Sequence, residues 1–561
     1  MRRGVSVVNK KVCSFPILFA LLALLIGTCA VVFPASAQAA PTSTGSITVS
    51  GTVASSYDAY QIFSANVIDG DNDAKIATDL AWVSDAVRDA ALPVLHSAGM
   101  SKSQTTAQEA AEWLNNDSHL TSALSAQLAR SLQSSVAVSE ALKAGTTAEL
   151  PCGYWLIVAD DDAISQGEAG TAPIMVLVGG SAVTVKPKAA TPKVFKHVLE
   201  DSAVAWQKAA DATVGDDLYW RLSATVPAGL AAYDTYAVQF VDTMSAGLDP
   251  SKVAASMRVY VAAGADGGFD AVQTGKDGRV GTEPAKGWTD ITAQCGVSVD
   301  GKTFTVRTGD LIAALGGADA FTAGARVVAV YNAPLNSACN HGIAKGNPNE
   351  VYLRYPRSPF ADQSGDAGFA RTPSDDACAY TWDLALTKRG SDGDKPLAGA
   401  VLSIADDRGR TLAADGTWDA EGKATVTTGE DGRVTVSGVD SGKLEVRELK
   451  APKGYTAFEG SRSVTVKAEG LDVDQVAAAK PKLTITAESP LRADSADGST
   501  GSLEASIINT PTGTPPSITT GGFMPLTGDM AMYAVAAAAV AGAALIVVAL
   551  LIKRGGGSHK E

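Results

Sequence analysis

Residues 444–455 read Leu444-Glu445-Val446-Arg447-Glu448-Leu449-Lys450-Ala451-Pro452-Lys453-Gly454-Tyr455, and apolar and charged side chains alternate through the first half. Such alternation is typical of a β-strand with one buried and one solvated face. The face of Leu444 and Val446 also receives Glu448, because side chains repeat every second residue. An unpaired charge is costly to bury, so this carboxyl should be neutral or paired. The stretch therefore predicts a β-domain that holds an acid inside it.

Two other strands of the same region carry polar groups on apolar faces. Lys388 follows Leu384 and Leu386 at alternate positions, and Asn509 follows Leu503, Ala505 and Ile507 in the same way. A neutral lysine can attack the side-chain carbonyl of an asparagine while a carboxyl group moves the protons. Ammonia leaves and an isopeptide bond remains. On the residues alone, a buried salt bridge is the alternative interpretation.

Short strand-like segments separated by Gly-, Asp- and Asn-rich turns extend over most of the 561 residues, which predicts a mainly β chain of tandem sandwiches. We expect units at residues 41–188, 189–375 and 380–512. The first should contain a helical insert, since Thr106 and Glu109 form a capping-box pattern. Leucines at 120, 124, 128 and 132 also mark one helical face. The net charge of −14 argues against nucleic acid as a partner.

Both ends of the chain predict export and retention. Residues 1–39 combine basic residues, the apolar run Phe15–Phe33 and small residues suited to cleavage, as a signal peptide does. An uncleaved anchor is the alternative. Residues 513–523 form a linker. The uncharged run Ala531–Ile552, followed by Lys553 and Arg554, predicts a transmembrane helix with a cytoplasmic C-terminus. An ordinary single-span membrane protein is the alternative here.

Four cysteines remain once the signal peptide is removed, namely Cys152, Cys295, Cys339 and Cys378. Outside the cell disulfides are stable, so we expect one or two among these residues. Three pairings are possible, and the sequence does not choose among them.

Motifs for turnover of an external substrate are not found. The histidines are scattered, and the sequence contains no HExxH, GxSxG or Walker A pattern. The run Asp69-x-Asp71-x-Asp73 places Ala74 and Leu80 where a calcium loop needs Gly and an acid. We therefore expect no enzyme in the turnover sense, no metal and no cofactor.

The segment 444–455 resembles the E-box of sortase-assembled Gram-positive backbone pilins, roughly YxLxETxAPxGY, with Leu444 and Leu449 in place of Tyr and Thr. Residues 397–400 (LAGA) and Asn509-Thr510 resemble the corresponding parts of Cna-B-type domains in that family. The resemblance implies Ig-like or Cna-type sandwiches. It also implies an isopeptide bond between Lys388 and Asn509, with Glu448 as the acid.

The middle unit also resembles its counterpart in these pilins. Residues 240–244 (FVDTM) resemble the F-x-D-T-L stretch, and residues 346–351 (GNPNEV) resemble the end of that domain. The implied cluster consists of Lys196, Asp242 and Asn349. Asn347 has the same strand parity as Asn349 and is the alternative third member.

The pentapeptide Met524-Pro525-Leu526-Thr527-Gly528 resembles the LPxTG sorting signal, with Met in place of the first Leu. The resemblance implies that a sortase cysteine attacks the carbonyl of Thr527 and releases the chain from Gly528 onward. Residues 186–192 (KPKAATP) look like the pilin motif, in which Lys188 would be the linking lysine. Lys186 and Lys193 are possible substitutes.

Together these motifs imply the shaft subunit of a covalent pilus on the cell wall, in which Thr527 of one copy joins Lys188 of the next. The implied partners are pilin-specific and housekeeping sortases, further copies of the chain, minor pilins, peptidoglycan and a host ligand. The alternative is a wall-anchored adhesin that stays monomeric and binds a host protein or glycan.

Overall fold

The computed structural model describes residues 43–513 except 72–73, 117, 166, 188–190, 265, 277 and 322. The fold is mainly β, as predicted, and no sheet pairs strands from more than one of three successive stretches of chain. We name these stretches the first unit (Thr44 to Val185), the second unit (Lys193 to Tyr380) and the third unit (Trp382 to Pro511). The predicted signal peptide, sorting pentapeptide and transmembrane run lie outside the described residues. Within the described part, no helix is long and apolar enough to cross a membrane.

The first unit contains eight described strands and three helices. The strands are β1 Thr44–Val49, β2 Ser56–Asp69, β3 Lys75–Trp82, β4 Glu140–Lys143, β5 Thr147–Pro151, β6 Gly153–Ala159, β7 Ile174–Val178 and β8 Val183–Val185. The helices are α1 Asp85–Ser97, α2 Ala107–Leu114 and α3 Ser122–Ser135.

A small sheet β5-β1-β8 and a larger sheet β3-β2-β6-β7 form the β part of the first unit, with β4 also on β2. The helical insert lies between β3 and β4, as the sequence predicts. Thr106 caps α2, and its hydroxyl and the Glu109 side chain form the expected reciprocal capping box. Leu124, Leu128 and Leu132 of α3 are buried, so the leucine periodicity marks core packing.

The second unit is the largest. Its strands are β9 Lys193–Glu200, β10 Ala205–Gln207, β11 Ala209–Asp211, β12 Tyr219–Val226, β13 Gln239–Met244, β14 Arg258–Ala263, β15 Val272–Thr274, β16 Val280–Pro284, β17 Thr289–Asp290, β18 Gly296–Asp300, β19 Thr303–Arg307, β20 Ala325–Asn332, β21 Asn347–Pro356, β22 Phe369–Arg371 and β23 Asp375–Tyr380. Two short helices are α4 Val253–Ser256 and α5 Leu311–Ala314.

Two sheets enclose the core of the second unit. One has the order β10-β9-β12-β20-β14-β17, and the other has the order β11-β23-β21-β13-β19-β18, with β22 on β21. Val and Ala dominate their inner faces, while Trp220, Phe240, Phe304 and Tyr331 fill the space between the sheets. β9 belongs to the first sheet and β13 and β21 to the second, so residues facing inward from these strands meet in the core.

The third unit has the strands β24 Trp382–Gly390, β25 Val401–Ala405, β26 Thr411–Leu412, β27 Trp418–Asp419, β28 Val426–Thr427, β29 Arg433–Val439, β30 Gly442–Lys450, β31 Tyr455–Thr456, β32 Ser461–Glu469, β33 Lys482–Ala487, β34 Leu491–Asp497 and β35 Ser502–Pro511. One sheet has the order β29-β24-β35-β31 with β34 on β35, and the other has the order β27-β26-β25-β30-β32-β33 with β28 on β25.

The first and last strands of the third unit, β24 and β35, pair in parallel. The register places Lys388 opposite Ile507 and Gly390 opposite Asn509. Leu384, Leu386, Leu503, Ala505 and Ile507 are fully buried, which explains why this alternating pattern was readable in the sequence. The pairing brings Lys388 and Asn509, 121 residues apart along the chain, into one layer of the core.

Polar contacts join the second and third units. The Arg410 guanidinium donates two hydrogen bonds to the Asp216 carboxylate, at 2.5 and 2.8 Å. The Asp211 carboxylate accepts from the Trp382 indole at 2.6 Å and from the Ser441 hydroxyl at 2.5 Å. These partly or fully buried contacts tie the end of β11 and the following turn to the third unit.

Candidate functional site

The three polar residues predicted inside the third unit form a closed cluster. The Lys388 Nζ lies 2.9 Å from Glu448 Oε1 and donates to Asn509 Oδ1 at 2.5 Å. The Asn509 Nδ2 donates to the same Glu448 Oε1 at 2.8 Å. The Lys388 and Glu448 side chains are fully buried, and Asn509 is 2% exposed. The amine therefore touches the amide it would attack and the acid that would move the protons.

Three different strands hold this cluster. Lys388 and Asn509 come from neighbouring strands β24 and β35, whereas Glu448 reaches across from β30 in the facing sheet. The second carboxylate oxygen of Glu448 accepts from the Phe458 backbone N–H at 3.1 Å, which fixes the carboxyl group. The Phe458 ring centroid lies 5.5 Å from Lys388 Nζ. The amine is thus enclosed by its two polar partners, Glu448 and Asn509, and by apolar side chains.

Burial lowers the pKa of Lys388 to about 8, although the hydrogen bond and charge of Glu448 act in the opposite direction. Removal of an ammonium ion from water favours its neutral form. At pH 7, one unit below this pKa, about a tenth of the amine is neutral and has the free lone pair that a nucleophile requires.

The second unit contains a related cluster of an amine, a carboxyl and an amide group. Lys196 is fully buried, its Nζ donates to Asp242 Oδ2, and it lies 3.0 Å from the Tyr331 hydroxyl oxygen. The Tyr331 hydroxyl donates to Asp242 Oδ2 at 3.1 Å and accepts from Asn349 Nδ2 at 2.8 Å. The structure thus brings Lys196, Asp242 and Asn349 together around one tyrosine hydroxyl.

Asn349, rather than Asn347, faces this cluster. Both side chains are fully buried. They lie on the same face of β21, because alternate residues of a strand share a face. The Asn347 amide, however, is bonded elsewhere: its Oδ1 accepts from the Asn340 backbone N–H, and its Nδ2 donates to the carbonyls of Asn340 and Ala379. Of the two asparagines, Asn349 thus lies in the cluster of Lys196 and Asp242, and Asn347 lies outside it.

Burial acts on both charged members of the second cluster. It lowers the pKa of Lys196 to about 8, while the Asp242 charge opposes that shift. It raises the pKa of the Asp242 carboxyl, with Lys196 opposing. Both directions favour transfer of the proton from the amine to the acid. Asp242 Oδ1 and Asn349 Oδ1 have no hydrogen-bond partner among the described residues, so each oxygen can still accept a hydrogen bond.

Lys196 is also held through its backbone. Its N–H donates to Asp375 Oδ2 at 2.7 Å, and the same oxygen accepts from Lys208 Nζ at 2.5 Å. The Lys208 ammonium also donates to the Lys196 carbonyl at 2.9 Å. These hydrogen bonds to the Lys196 backbone fix β9, the strand that carries the reacting lysine.

Sequence reasoning missed Tyr331. Tyr331 is the last residue but one of β20, Ala325–Asn332. Val327, Ala329 and Tyr331 share its fully buried inward face. A hydroxyl at the end of an otherwise apolar stripe was the available signal, because a buried hydroxyl needs a partner.

The residues predicted to link one copy to the next are not placed by the structure. Lys188, Thr527 and the whole pentapeptide 524–528 lie outside the described residues. Lys186 and Lys193, the possible substitutes for Lys188, are both exposed.

The prediction of disulfides does not agree with the structure, in which Cys152, Cys295, Cys339 and Cys378 all carry free thiols. Cys152 lies in the first unit, whose described residues include no second cysteine. In the second unit, Cys295 directly precedes β18, Cys339 lies between β20 and β21, and Cys378 lies on β23. Burial raises the pKa of Cys295, Cys339 and Cys378 to about 11. These thiols act as small packed side chains with little thiolate character.

Cys339 nevertheless lies beside a histidine and an aspartate, the residue types that activate the nucleophile in a catalytic triad. Its Sγ lies 3.6 Å from His341 Nε2, and His341 Nδ1 lies 2.8 Å from Asp383 Oδ2. Cys339 is 9% exposed, and burial together with the Asp383 charge raises the pKa of its thiol to about 11. A reactive cysteine needs a lowered thiol pKa and exposure to its substrate. Cys339 has neither, so this cluster gives no support for an active site.

Parts of the chain are similar to known proteins. Residues 383–480 match the family model described as SpaA, prealbumin-like fold domain. The chain is 29% identical over 143 residues to the trypsin-resistant surface T6 protein of Streptococcus pyogenes serotype M6. That match covers 24% of this chain and 24% of the T6 protein, so the aligned part spans about a quarter of that relative.

Solved structures with a similar chain include the T6 backbone pilin of serotype M6 Streptococcus pyogenes, described as a modular three-domain structure. It has a TM-score of 0.45 at 17% identity and covers 84% of this chain and 98% of its own. The full-length major pilin SpaD of Corynebacterium diphtheriae has a TM-score of 0.39 at 16% identity, with the same coverage.

Proposed function

We propose that this chain is the shaft subunit of a covalently polymerised pilus on the surface of a Gram-positive bacterium. The observation that carries the proposal is a buried lysine, acid and asparagine brought together in two successive units, by direct contact in the third unit and around the Tyr331 hydroxyl in the second. The prealbumin-like match of residues 383–480 and the similarity to the surface protein T6 support it. Each of these two units reacts with itself once, and the chain turns over no external substrate.

In the third unit, the neutral Lys388 amine attacks Cγ of Asn509. Glu448 takes the proton that the amine loses and returns it to Nδ2, with which its Oε1 is already hydrogen-bonded. The C–Nδ2 bond breaks, ammonia leaves, and an isopeptide bond joins Lys388 to Asn509. The same net reaction in the second unit joins Lys196 to Asn349. These bonds cross-link each unit internally.

Polymerisation requires a different pair of residues. A pilin-specific sortase cleaves after Thr527 and holds its carbonyl as an acyl-enzyme, and the Lys188 amine of another copy then attacks it. A housekeeping sortase attaches the last copy to peptidoglycan, and minor pilins join the same fibre. The pentapeptide, the apolar run and the basic tail support this assignment by their order in the sequence.

The test of polymerisation is a denaturing gel of wall extracts from cells that contain the cognate sortase. The wild type should give a high-mass ladder, and Lys188→Ala should abolish it. Lys186→Ala and Lys193→Ala, which remove neighbouring lysines, should leave the ladder intact. A ladder in Lys188→Ala contradicts that lysine assignment.

Absence of a ladder in the wild type favours the monomeric adhesin instead. Peptide mass spectrometry of the ladder should find Thr527 joined to Lys188.

Intact-mass measurement tests the internal bonds. The mature chain should be lighter than its sequence by two ammonia molecules, and peptide mapping should assign one loss to each cluster. A mass equal to that of the unmodified sequence contradicts the proposal.

A further inference from the structure

We propose that Tyr331 is a fourth reacting group of the second unit, and that its hydroxyl carries the proton from Asp242 to the departing nitrogen of Asn349. The inference rests on the proposed function, since it concerns how the Lys196–Asn349 bond forms. It assigns a proton-transfer role to a residue that lies outside the lysine, acid and asparagine set.

Comparison of the two clusters indicates why the second unit needs such a group. In the third unit, Glu448 Oε1 lies 2.9 Å from the attacking nitrogen of Lys388 and 2.8 Å from the leaving nitrogen of Asn509. One oxygen therefore serves both ends of the proton transfer.

The acid of the second unit is an aspartate, which is one methylene shorter. Asp242 Oδ2 contacts Lys196 Nζ and the Tyr331 hydroxyl, and no hydrogen bond joins Asp242 to Asn349 among the described residues. The Asn349 Nδ2 bonds to the Tyr331 hydroxyl instead, at 2.8 Å. The tyrosine hydroxyl therefore occupies the gap that the longer acid closes in the third unit.

The proton balance requires one net transfer. The amine of Lys196 must lose one hydrogen to become an amide, and the Nδ2 group of Asn349 must gain one to leave as ammonia. Asp242 receives the first proton through Oδ2, and Tyr331 then gives its hydroxyl proton to Nδ2 while taking one from Asp242. Both relay groups end as they began, so no co-reactant is needed.

The direction of the Tyr331–Asn349 hydrogen bond reverses during this sequence. An amide nitrogen donates only, because its lone pair is delocalised into the carbonyl. Attack of Lys196 makes Cγ tetrahedral, and Nδ2 becomes an amine that can accept the hydroxyl proton. The contact that holds the amide in the unreacted protein thus becomes the path of the transferred proton.

Tyr331 is suited to the role by its surroundings. Its side chain is fully buried, and its ring packs edge-on against Phe304 with centroids 4.8 Å apart. Burial and the nearby Asp242 charge hold the pKa of the phenol well above its usual range, so the hydroxyl keeps a proton to give. The rigid ring fixes the oxygen between donor and acceptor.

The test compares Tyr331→Phe with Tyr260→Phe. Each change removes one hydroxyl from a fully buried tyrosine of the second unit, and the Tyr260 hydroxyl donates to the Thr282 carbonyl at 2.8 Å, in a different cluster. The full-length protein is pulse-labelled during synthesis and sampled over time, and peptide mass spectrometry follows both cross-links in the same molecules. The Lys388–Asn509 bond is the internal control for folding.

We expect Tyr331→Phe to slow formation of the Lys196–Asn349 bond by roughly 100-fold or more, the range of a lost proton-transfer group. Tyr260→Phe should leave both bonds at the wild-type rate. An unchanged rate in Tyr331→Phe overturns the relay but leaves the proposed function intact. Absence of both cross-links in the wild type overturns the proposed function itself.

A second variant separates proton transfer from positioning. In Tyr331→Phe/Asp242→Glu, the longer acid copies the arrangement of the third unit and can contact Nδ2 directly. The relay predicts that this double variant forms the bond at least 10-fold faster than Tyr331→Phe alone. If the double variant is no faster, Tyr331 only positions Asn349, and the relay is wrong.

Discussion

Removal of the Asn509 side chain provides the sharpest test of what the third-unit bond contributes to stability. In Asn509→Ala the isopeptide bond cannot form, while Lys388 and Glu448 keep their contact at 2.9 Å. The lost constraint closes a loop of 121 residues. Treated as a cross-link on the unfolded chain, such a loop stabilises the unit by about 5 kcal/mol. We expect the unfolding temperature of the third unit to fall by roughly 10–20 °C.

Two measurements on the purified protein check this expectation. Intact mass should show one lost ammonia instead of two, and differential scanning calorimetry should show one transition displaced downward. Asn347→Ala is the matched control, because it truncates another fully buried asparagine that the structure places outside both clusters. It should retain both ammonia losses, although the loss of its hydrogen bonds costs about 1–3 kcal/mol in the second unit. If Asn509→Ala still loses two ammonia molecules, or unfolds within about 3 °C of the wild type, the reasoning is refuted.

Three further outcomes are expected. In Asn509→Ala, folding lowers the Lys388 pKa from 10.5 to about 8, so the unfolded state binds more protons between these values. Stability measured by urea unfolding should therefore rise from pH 8 to pH 10.5, by up to about 3 kcal/mol, and a flat profile would contradict the buried amine. Asp216→Ala removes the contacts of this carboxylate with Arg410 and Arg408 between the second and third units. It should lower the free energy of unfolding by about 1.5–3 kcal/mol, whereas no change would show that these contacts are dispensable. In the native protein at pH 7, Cys339 should resist iodoacetamide and react only after unfolding, because its thiol is buried and protonated; rapid native labelling would show that the His341 neighbour activates it after all.

Strand periodicity accounts for what the sequence could predict. Lys388, Glu448 and Asn509 each continue an alternating apolar stripe, and all three point into the core in the structure. The rule needs only local information, since a side chain's face is determined by its position in the strand. The same rule could not separate Asn347 from Asn349, which share a face. Only the tertiary neighbours of each amide distinguish them.

Features that depend on packing between distant strands were not predictable. Tyr331 meets Asp242 because β20 and β13 belong to facing sheets, and no local pattern specifies which residues of two sheets oppose each other. The disulfide prediction failed for a related reason. An oxidising compartment permits disulfides, but a bond also needs two cysteines at the right separation, and sequence spacing does not provide that distance.

The parallel pairing of β24 and β35 has a mechanical consequence. The chain enters the third unit at the head of β24 and leaves from the tail of the neighbouring β35, so a pull on the two ends would load their hydrogen-bond ladder in shear. A bond from Lys388 to Asn509 spans these two strands and bypasses the 121-residue separation between them. Unfolding of that segment would otherwise release about 400 Å of contour length. With the bond in place the force passes from strand to strand through a single covalent link, and the unit becomes nearly inextensible.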